Sequence, residues 1–293
     1  MGLNYHYLRY FWAVAHEGNL TRAARKLHVS QSALSVQIQK LEDELGHPLF
    51  ERRGKRLLLT EAGRVTLEHA DSIFGIGDDL LRTLSGFDNS ERRVLRIGAL
   101  ATLSRNFQIQ FVAPLIARDI AKNDVELVIR SGAFGELLNA LEAYRLDVVL
   151  ANSAPARDAA TRWVPHPIAE QPVSLVAHPG VEAAGSLRET LERHPVVLPT
   201  AESSIRAGFD ALTLRLGVTP RIAAEIDDMA MLRLVARAHK ALAVVPPIVV
   251  NDELVRGELL EIHRLPELTE TFFAITLKRS FENPLLASLL GER

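Results

Sequence analysis

The sequence predicts a mixed α/β chain in two parts, a small helical head ending in a hairpin and a larger body of alternating strands and helices, joined by a long helix. Three observations carry this reading. Apolar residues recur at helical spacing through the first sixty positions, a heptad stripe follows, and from Val94 short apolar runs alternate with amphipathic ones. A length of 293 residues exceeds one ordinary core and suits a small domain beside a larger one.

Within the head, Asn4 to Glu17 places Leu8, Phe11, Trp12 and Ala15 on one helical face, and Gly18-Asn19 ends that helix and caps the next. The second helix, Leu20 to Leu27, turns Ala23, Ala24 and Leu27 inward, and its alanines let another helix approach closely. After His28-Val29, Ser30 is the expected N-cap of a third helix, Gln31 to Leu45, which Gly46 stops. Leu34, Ile38, Leu41 and Leu45 make its apolar stripe, leaving Ser32, Ser35, Val36, Gln39 and Lys40 on the other faces. Leu49-Phe50, the basic run Glu51 to Arg56 and Leu57-Leu58-Leu59 read as a hairpin with Gly54 at its tip.

Thr60-Glu61 opens the long helix. Leu67, Ala70, Phe74, Gly77, Leu81 and Leu84 fall at steps of three and four, a heptad seam expected to pair two chains through Leu67, Ala70, Phe74, Leu81 and Leu84. Gly75 and Gly77 each cost such a helix about 1 kcal/mol relative to alanine. Asp88 to Arg93 then reads as a polar hinge.

In the body, strands are expected at Leu95 to Ala99, Val125 to Ile129, Asp147 to Ala151, Val173 to Ala177, Val196 to Leu198, Ile222 to Glu225, Ala241 to Val245 and Thr271 to Leu277, with helices between them. Such a βαβ series implies a mostly parallel sheet covered on both faces. The last strand is expected to return to the first lobe, so that the chain crosses between two lobes twice.

Charge divides along the same line. Residues 1–65 carry 10 Lys/Arg and 6 Asp/Glu, whereas the remainder is acidic, within a net charge of -2. A basic head on an acidic body is the asymmetry of a nucleic-acid reader joined to another module. The absence of cysteine removes disulfides, thiolate metal sites and thiol redox sensing. No signal-peptide pattern opens the chain, and the longest late apolar run, Ala241 to Val250, is half a membrane span, so a cytoplasmic protein with no membrane partner is expected.

Three stretches closely resemble the LysR-type transcription regulators: Asn19-Leu20-Thr21-Arg22-Ala23-Ala24, Leu27 to Ser35, and Gln37-Ile38-Gln39-Lys40-Leu41-Glu42. Glu44-Leu45-Gly46, Leu49-Phe50-Glu51-Arg52 and Leu59-Thr60-Glu61-Ala62-Gly63 continue the pattern in order and spacing. The resemblance implies a winged helix-turn-helix (1–60), a linker and dimerisation helix (61–87), a hinge (88–93) and a periplasmic-binding-protein-like effector domain with lobe I at 94–168 and 268–293 and lobe II at 169–267. It also implies double-stranded promoter DNA as partner, a homodimer or homotetramer, and contact with RNA polymerase. Asn4-Tyr5, Tyr10-Phe11-Trp12, Glu17-Gly18 and Arg145 to Ala151 resemble one branch of that family, the regulators of sodium/proton antiporters.

By that resemblance the third helix enters the major groove. Ser30 and Gln31 stand at its N-terminal end, and an amide such as Gln31 can pair bidentately with adenine. Ser32, Ser35, Val36 and Lys40 follow on the exposed side, and Arg52, Arg53, Lys55 and Arg56 of the wing meet phosphates. Proline often stands in the family where this chain has Ser32, and arginine where it has Val36, so a frequent basic contact is absent and the family's operator preference does not carry over by resemblance.

No catalytic constellation is present in the sequence. Gly75-Ile76-Gly77 lacks a third glycine and falls in a helix, the ten histidines show no paired metal spacing, and no nucleophile elbow occurs. A small effector is expected instead at strand-to-helix junctions facing a cleft: Thr102 and Ser104, Asn152, Ser203 and Ser204, Asp227 and Asp228. The hydroxyls favour a small anion or metabolite, while the two aspartates favour a cation such as sodium. No cofactor is implied. The competing reading is a solute-binding protein or enzyme in the C-terminal half with an incidental helical head.

Overall fold

The computed structural model describes residues 2–53, 56–85, 93–118, 125–156, 162–181, 185–278 and 283–291, apart from the side chains at 52, 53, 56, 82, 83, 85 and 266. The chain forms two compact units, one of residues 1–89 with 142–145, the other of 90–141 with 146–293.

The first unit is α1 (Tyr5–Glu17), α2 (Leu20–Lys26), α3 (Gln31–Leu45), the antiparallel pair β1 (Phe50–Arg53) and β2 (Arg56–Leu59), and α4 (Glu61–Ser85). Side chains set the helix starts. Asn4 accepts from the backbone of His6 and Tyr7, Asn19 from that of Arg22, and Ser30 from that of Ala33, so each N-cap meets donors that would otherwise be orphaned. Gly18 and Gly46 close α1 and α3 with φ of 61° and 74°, a left-handed turn that glycine adopts without a Cβ penalty. Val14, Ala23, Ala24, Leu34 and Ile38 form one core and Leu8, Phe11, Leu41, Leu49 and Ala70 another. Glu42 then ties α3 to the hairpin, its Oε1 accepting from the backbone N–H of Leu49 at 2.7 Å and Phe50 at 3.2 Å. Thr60 caps α4 through Gly63, where a Cβ would stand 2.1 Å from the Leu49 carbonyl oxygen.

The second unit holds one eight-stranded mixed sheet in the order β4-β3-β5-β10-β6-β9-β7-β8. Its strands are β3 (Arg93–Leu100), β4 (Val125–Gly132), β5 (Val148–Ala151), β6 (Trp163–Ala177), β7 (Val196–Pro199), β8 (Ile222–Ile226), β9 (Leu242–Val245) and β10 (Leu260–Leu277). Helices α5 (Arg105–Arg118), α6 (Phe134–Glu142) and α11 (Pro284–Gly291) belong to lobe I. In lobe II are α7 (Leu187–Arg193), α8 (Ser204–Leu216), α9 (Met229–Ala238), a 3-10 turn at Pro247–Val250 and α10 (Asn251–Arg256). β3 pairs parallel with β4 and β5, and β7 with β8 and β9, so each lobe keeps the expected parallel core.

The two crossings are where the expectation needs correcting. β6 and β10 are single long strands, antiparallel to each other from Trp163 opposite Leu277 to Ala177 opposite Leu260, where the sequence points only to Val173 to Ala177 and Thr271 to Leu277. The expected lobe boundaries at 168/169 and 267/268 therefore fall inside continuous strands. Pro165, Pro167 and Pro172 interrupt any strand pattern in the sequence. β6 tolerates them because its second neighbour, β9, pairs only with Ser174 to Val176, leaving the other side of the proline-bearing half without a ladder among the described residues.

Candidate DNA-binding and effector-binding sites

Helix α3 presents two opposite surfaces. Leu34, Ile38 and Leu41 are buried, while Gln31, Ser32, Ser35, Val36, Gln39 and Lys40 are exposed, so the residues expected to meet DNA share the solvent side. Ser30 is the N-cap, accepting from Ala33 N at 3.1 Å, and its hydroxyl lies 3.1 Å from that of Ser32. Thr21 donates to Gln31 Oε1 at 3.1 Å, which ties the amide oxygen of this exposed side chain to α2. Lys40 stands 5.8 Å from the ring centre of Tyr7, a cation–π contact that holds its stem against α1. Val36 offers a bare methyl pair, fit for apolar contact with a thymine methyl rather than a charged one.

Of the wing, the pairing Arg52 with Leu57 and Arg53 with Arg56 is formed. Lys55 lies outside the described residues, as do the side chains of Arg52, Arg53 and Arg56.

The heptad stripe divides. Ala70 is buried in the head's own core, with Leu67 and Phe74 packed against it, and the Phe74 ring lies 5.3 Å from that of Trp12. These three are intrachain packing, not free seam positions. Further along α4, Leu80, Leu81 and Leu84 are 58%, 66% and 54% exposed, and Ile76 is also exposed, so an exposed apolar stripe begins where α4 leaves the head's core. Ile76, Leu80 and Leu84 are spaced four apart on one side of the helix.

Sequence reasoning missed a polar hub beneath α4. Asp71 Oδ1 accepts from Trp12 Nε1 at 2.8 Å and meets His16 Nε2 at 2.7 Å, with Arg145 Nη1 3.7 Å from Oδ2. Burial pushes the Asp71 carboxyl up, but the hydrogen bonds from His16 and Trp12 and the charge of Arg145 outweigh it and hold the group below its ordinary value. The 142–145 segment approaches α4 so closely that a Cβ on Gly75 would stand 1.8 Å from the Ala143 carbonyl oxygen. Trp12 and Arg145 both fall in stretches that stand out in the sequence, but nothing there links them.

In the second unit the structure separates junction residues by duty. Ser104 is buried and caps α5 through Phe107 N at 3.4 Å, Ser203 caps α8 through Ile205 N at 3.3 Å, and Asp228 caps α9 through Ala230 N at 2.8 Å. Ser204 is instead the first residue of α8 and exposed, Thr102 is half-buried in the loop before α5, and Asp227 is exposed. Thr102, Ser104 and Asn152 follow lobe I strands, and Ser203 and Ser204 follow β7. Asp227 and Asp228 follow β8, the edge strand on the lobe II side of the sheet. No group of three or more acidic or histidine side chains able to hold a metal occurs among the described residues.

Asn152 has a partner the sequence did not suggest. Its Nδ2 donates at 2.8 Å to Glu270, a carboxylate only 3% exposed on β10. Burial raises the Glu270 carboxyl, against the lowering from Asn152, to about 7. A period-two run of buried positions through Leu268, Glu270 and Phe272 was the available signal, obscured by the polar residues around it.

The family model for the bacterial regulatory helix-turn-helix protein of the lysR family matches residues 5–64, and that for the LysR substrate binding domain matches residues 88–292. The chain is 24% identical over 284 residues to the transcriptional activator protein NhaR of Escherichia coli, covering 96% of this chain and 92% of that one. It is 27% identical over 267 residues to the RuBisCO operon transcriptional regulator of Allochromatium vinosum, covering 89% and 85%. Among solved structures, full-length CbnR complexed with its target DNA superposes with a TM-score of 0.67 at 23% identity, over 98% of each chain. A full-length OxyR variant from Pseudomonas aeruginosa does so with 0.69 at 22%, over 100% of this chain and 94% of that one. No helix among the described residues is long and apolar enough to cross a membrane. A capped helix-turn-helix with a polar outer face, joined to a two-lobed sheet and matched by both family models, places this chain in the LysR family, as a DNA-binding transcriptional regulator with a ligand-binding domain.

Proposed function

We propose that this regulator reads its operator through Gln31, Ser32, Ser35 and Val36 of α3, with Ser30 and Lys40 at the flanks and the wing arginines on phosphate, and that a small ligand bound between the lobes of the second unit sets its activity. One observation carries the DNA assignment: α3 buries Leu34, Ile38 and Leu41 and turns every expected contact residue outward. A cytoplasmic location follows from the partner, and two copies joined along the exposed stretch of α4 suit a two-fold operator.

For the target, the proposal is a sodium/proton antiporter or other salt-stress gene, with sodium or a metabolite that tracks salt as the first effectors to try. Its support is the resemblance in residues 4–18 and 145–151, and the likeness to NhaR stands beside it. The RuBisCO operon regulator is matched at similar identity, so identity alone does not choose the target.

The experiment has two arms. Binding to the promoter beside its own gene is measured across salt concentrations, where phosphate contacts make log affinity fall linearly with log salt. A reporter is then titrated with sodium chloride against potassium and choline chloride at constant ionic strength. Thr102→Val and Ser204→Ala leave the helix caps intact and are expected to abolish the response while sparing basal DNA affinity. Induction by every monovalent salt alike removes sodium, and unaltered induction in both variants removes the site.

A further inference from the structure

One side of β10 carries Leu268, Glu270, Phe272 and Ala274, all buried. Leu268 belongs to the lobe II core, where Gly208 of α8 comes so near that a Cβ would stand 3.1 Å from Leu268 Cγ. Phe272 belongs to the lobe I core and stacks on Phe107 of α5 with ring centres 4.1 Å apart. Glu270 therefore stands at the seam of two hydrophobic cores, on a strand that joins the lobes, with Asn152 at the end of β5 bound to one oxygen at 2.8 Å.

No cation answers it among the described residues. Across the ladder on β6 its register partner is Gln171, a neutral amide, while Glu170 lies opposite Thr271 and so on the other face. Arg105, at the start of α5, bonds to Ser131 and Gln108. Arg206 of α8 is held by Asp210 and Glu225, Glu267 on β10 itself pairs with Arg215, and the 3-10 turn at Pro247–Val250 carries no titratable side chain. A buried carboxylate with one amide partner and no counter-charge is costly when ionised.

We propose that Glu270 is a proton-operated latch between the lobes: protonated, it stays buried against Asn152 with both cores closed around it, and on losing its proton it draws water into the seam and loosens the lobes. Burial raises the carboxyl to about 7, which puts the latch in the near-neutral range. The inference rests on the two-lobed ligand-binding reading of the second unit, and needs no ligand and no DNA. Its consequence is that the effector response carries a pH dependence of its own.

Hydrogen–deuterium exchange of the full chain tests this, with intrinsic rates divided out and peptides covering 266–274 and 149–153 followed across pH. An open state in which Glu270 has an ordinary carboxyl gains about tenfold in population per pH unit until the closed state also ionises. Opening should rise on the order of twentyfold between about pH 5.5 and 7.5 and then level off, whereas Glu270→Gln, the shape of the neutral acid, should stay closed throughout. Identical profiles for the two proteins overturn the latch, as does a flat wild-type profile. If the variant does not fold, carboxyl resonances of wild type labelled with 13C-glutamate decide: one titrating near 7 supports the latch, and none above the ordinary range sinks it. Because the readout uses no DNA, its failure leaves the regulator reading untouched.

Discussion

Gly75 and Gly77 stand one dipeptide apart in the same helix, and the structure gives the same substitution different outcomes at the two sites. Alanine in place of glycine in a helix interior stabilises by about 1 kcal/mol, because the unfolded chain has less freedom to lose. Around Gly77 a Cβ would meet nothing within 4 Å, so Gly77→Ala should raise the stability of α4 by about that amount. At Gly75 the same methyl would lie 1.8 Å from the Ala143 carbonyl oxygen and 2.8 Å from its carbon, both backbone atoms with no rotamer to move. Overfilling a tight contact costs about 1–3 kcal/mol where the neighbours can give, so the helix gain is cancelled or reversed, and the cheapest relief is release of the 142–145 segment. Hydrogen exchange resolved along α4 and across 140–147 reads both effects. Gly77→Ala should slow exchange of α4 up to about fivefold, 1 kcal/mol being roughly that factor, with 142–145 unchanged, whereas Gly75→Ala should speed exchange at 142–145. Equal stabilisation by both alanines, with 142–145 still protected, would refute the close approach on which the argument depends.

Other expectations follow from the same contacts. Leu80→Asp with Leu84→Asp places charge on the exposed stripe of α4 while leaving the head's core intact, so light scattering should report monomers with normal head folding; an unchanged oligomer moves the interface elsewhere. Phe74→Asp, by contrast, should unfold the head, since that ring packs against the core beside Trp12. Gln31→Ala should relax specificity at one or two positions of each half-site by about 1–3 kcal/mol, whereas Arg52→Ala should weaken all sequences alike and shallow the salt slope by about one; equal effects on every sequence reject the assignment. Asp71→Ala strips Trp12 and His16 of their shared acceptor and should cost about 1–3 kcal/mol at neutral pH. Because the Asp71 carboxyl lies below its ordinary value, that contribution is present above the ordinary carboxylate range and is lost in acid as pH falls through the depressed value. Stability curves of wild type and variant should therefore converge in acid, and a constant gap across pH counts against the hub.

Where local chemistry decides structure, the sequence showed it. The caps Asn19 and Ser30, the stops Gly18 and Gly46, and the stripes Leu8–Phe11 and Leu34–Ile38–Leu41 each act within a turn or two, and each is found where the sequence puts it; Asn4, read as the first residue of α1, is instead its N-cap. The long strands β6 and β10 were half legible. Their hidden halves owe their form to pairing with one another across about a hundred residues of chain, and such pairing admits prolines on an unladdered side and tolerates register shifts that break a period of two. The heptad stripe divides for a different reason. A seam that packs against its own α1 and one that packs against another chain need the same apolar residues at the same steps, so spacing could not tell Phe74 from Leu81.

The effector junctions show the same limit at the level of single side chains. A hydroxyl before a helix is equally apt to cap it and to hold a ligand, and the sequence offers no way to divide Ser203 from Ser204. Geometry divides them: Ser104, Ser203 and Asp228 already spend an acceptor on a helix N–H, so replacing any of them costs helix stability of about 1 kcal/mol whatever else it does. Thr102 and Ser204 carry no such duty, which makes them the clean positions at which to look for a ligand. Asp227 and Asp228 lose ground as a cation site, because one is an exposed residue on the rim of an edge strand and the other is a cap, with no third acidic or histidine donor gathered beside them among the described residues. Glu270, a buried carboxyl with no counter-charge among the described residues, reached its place between the cores through the pairing of β10 and not through any local motif. A polar residue in an otherwise apolar alternation is thus the feature of this sequence that most needed the structure, because its meaning depends on which two cores meet at that point.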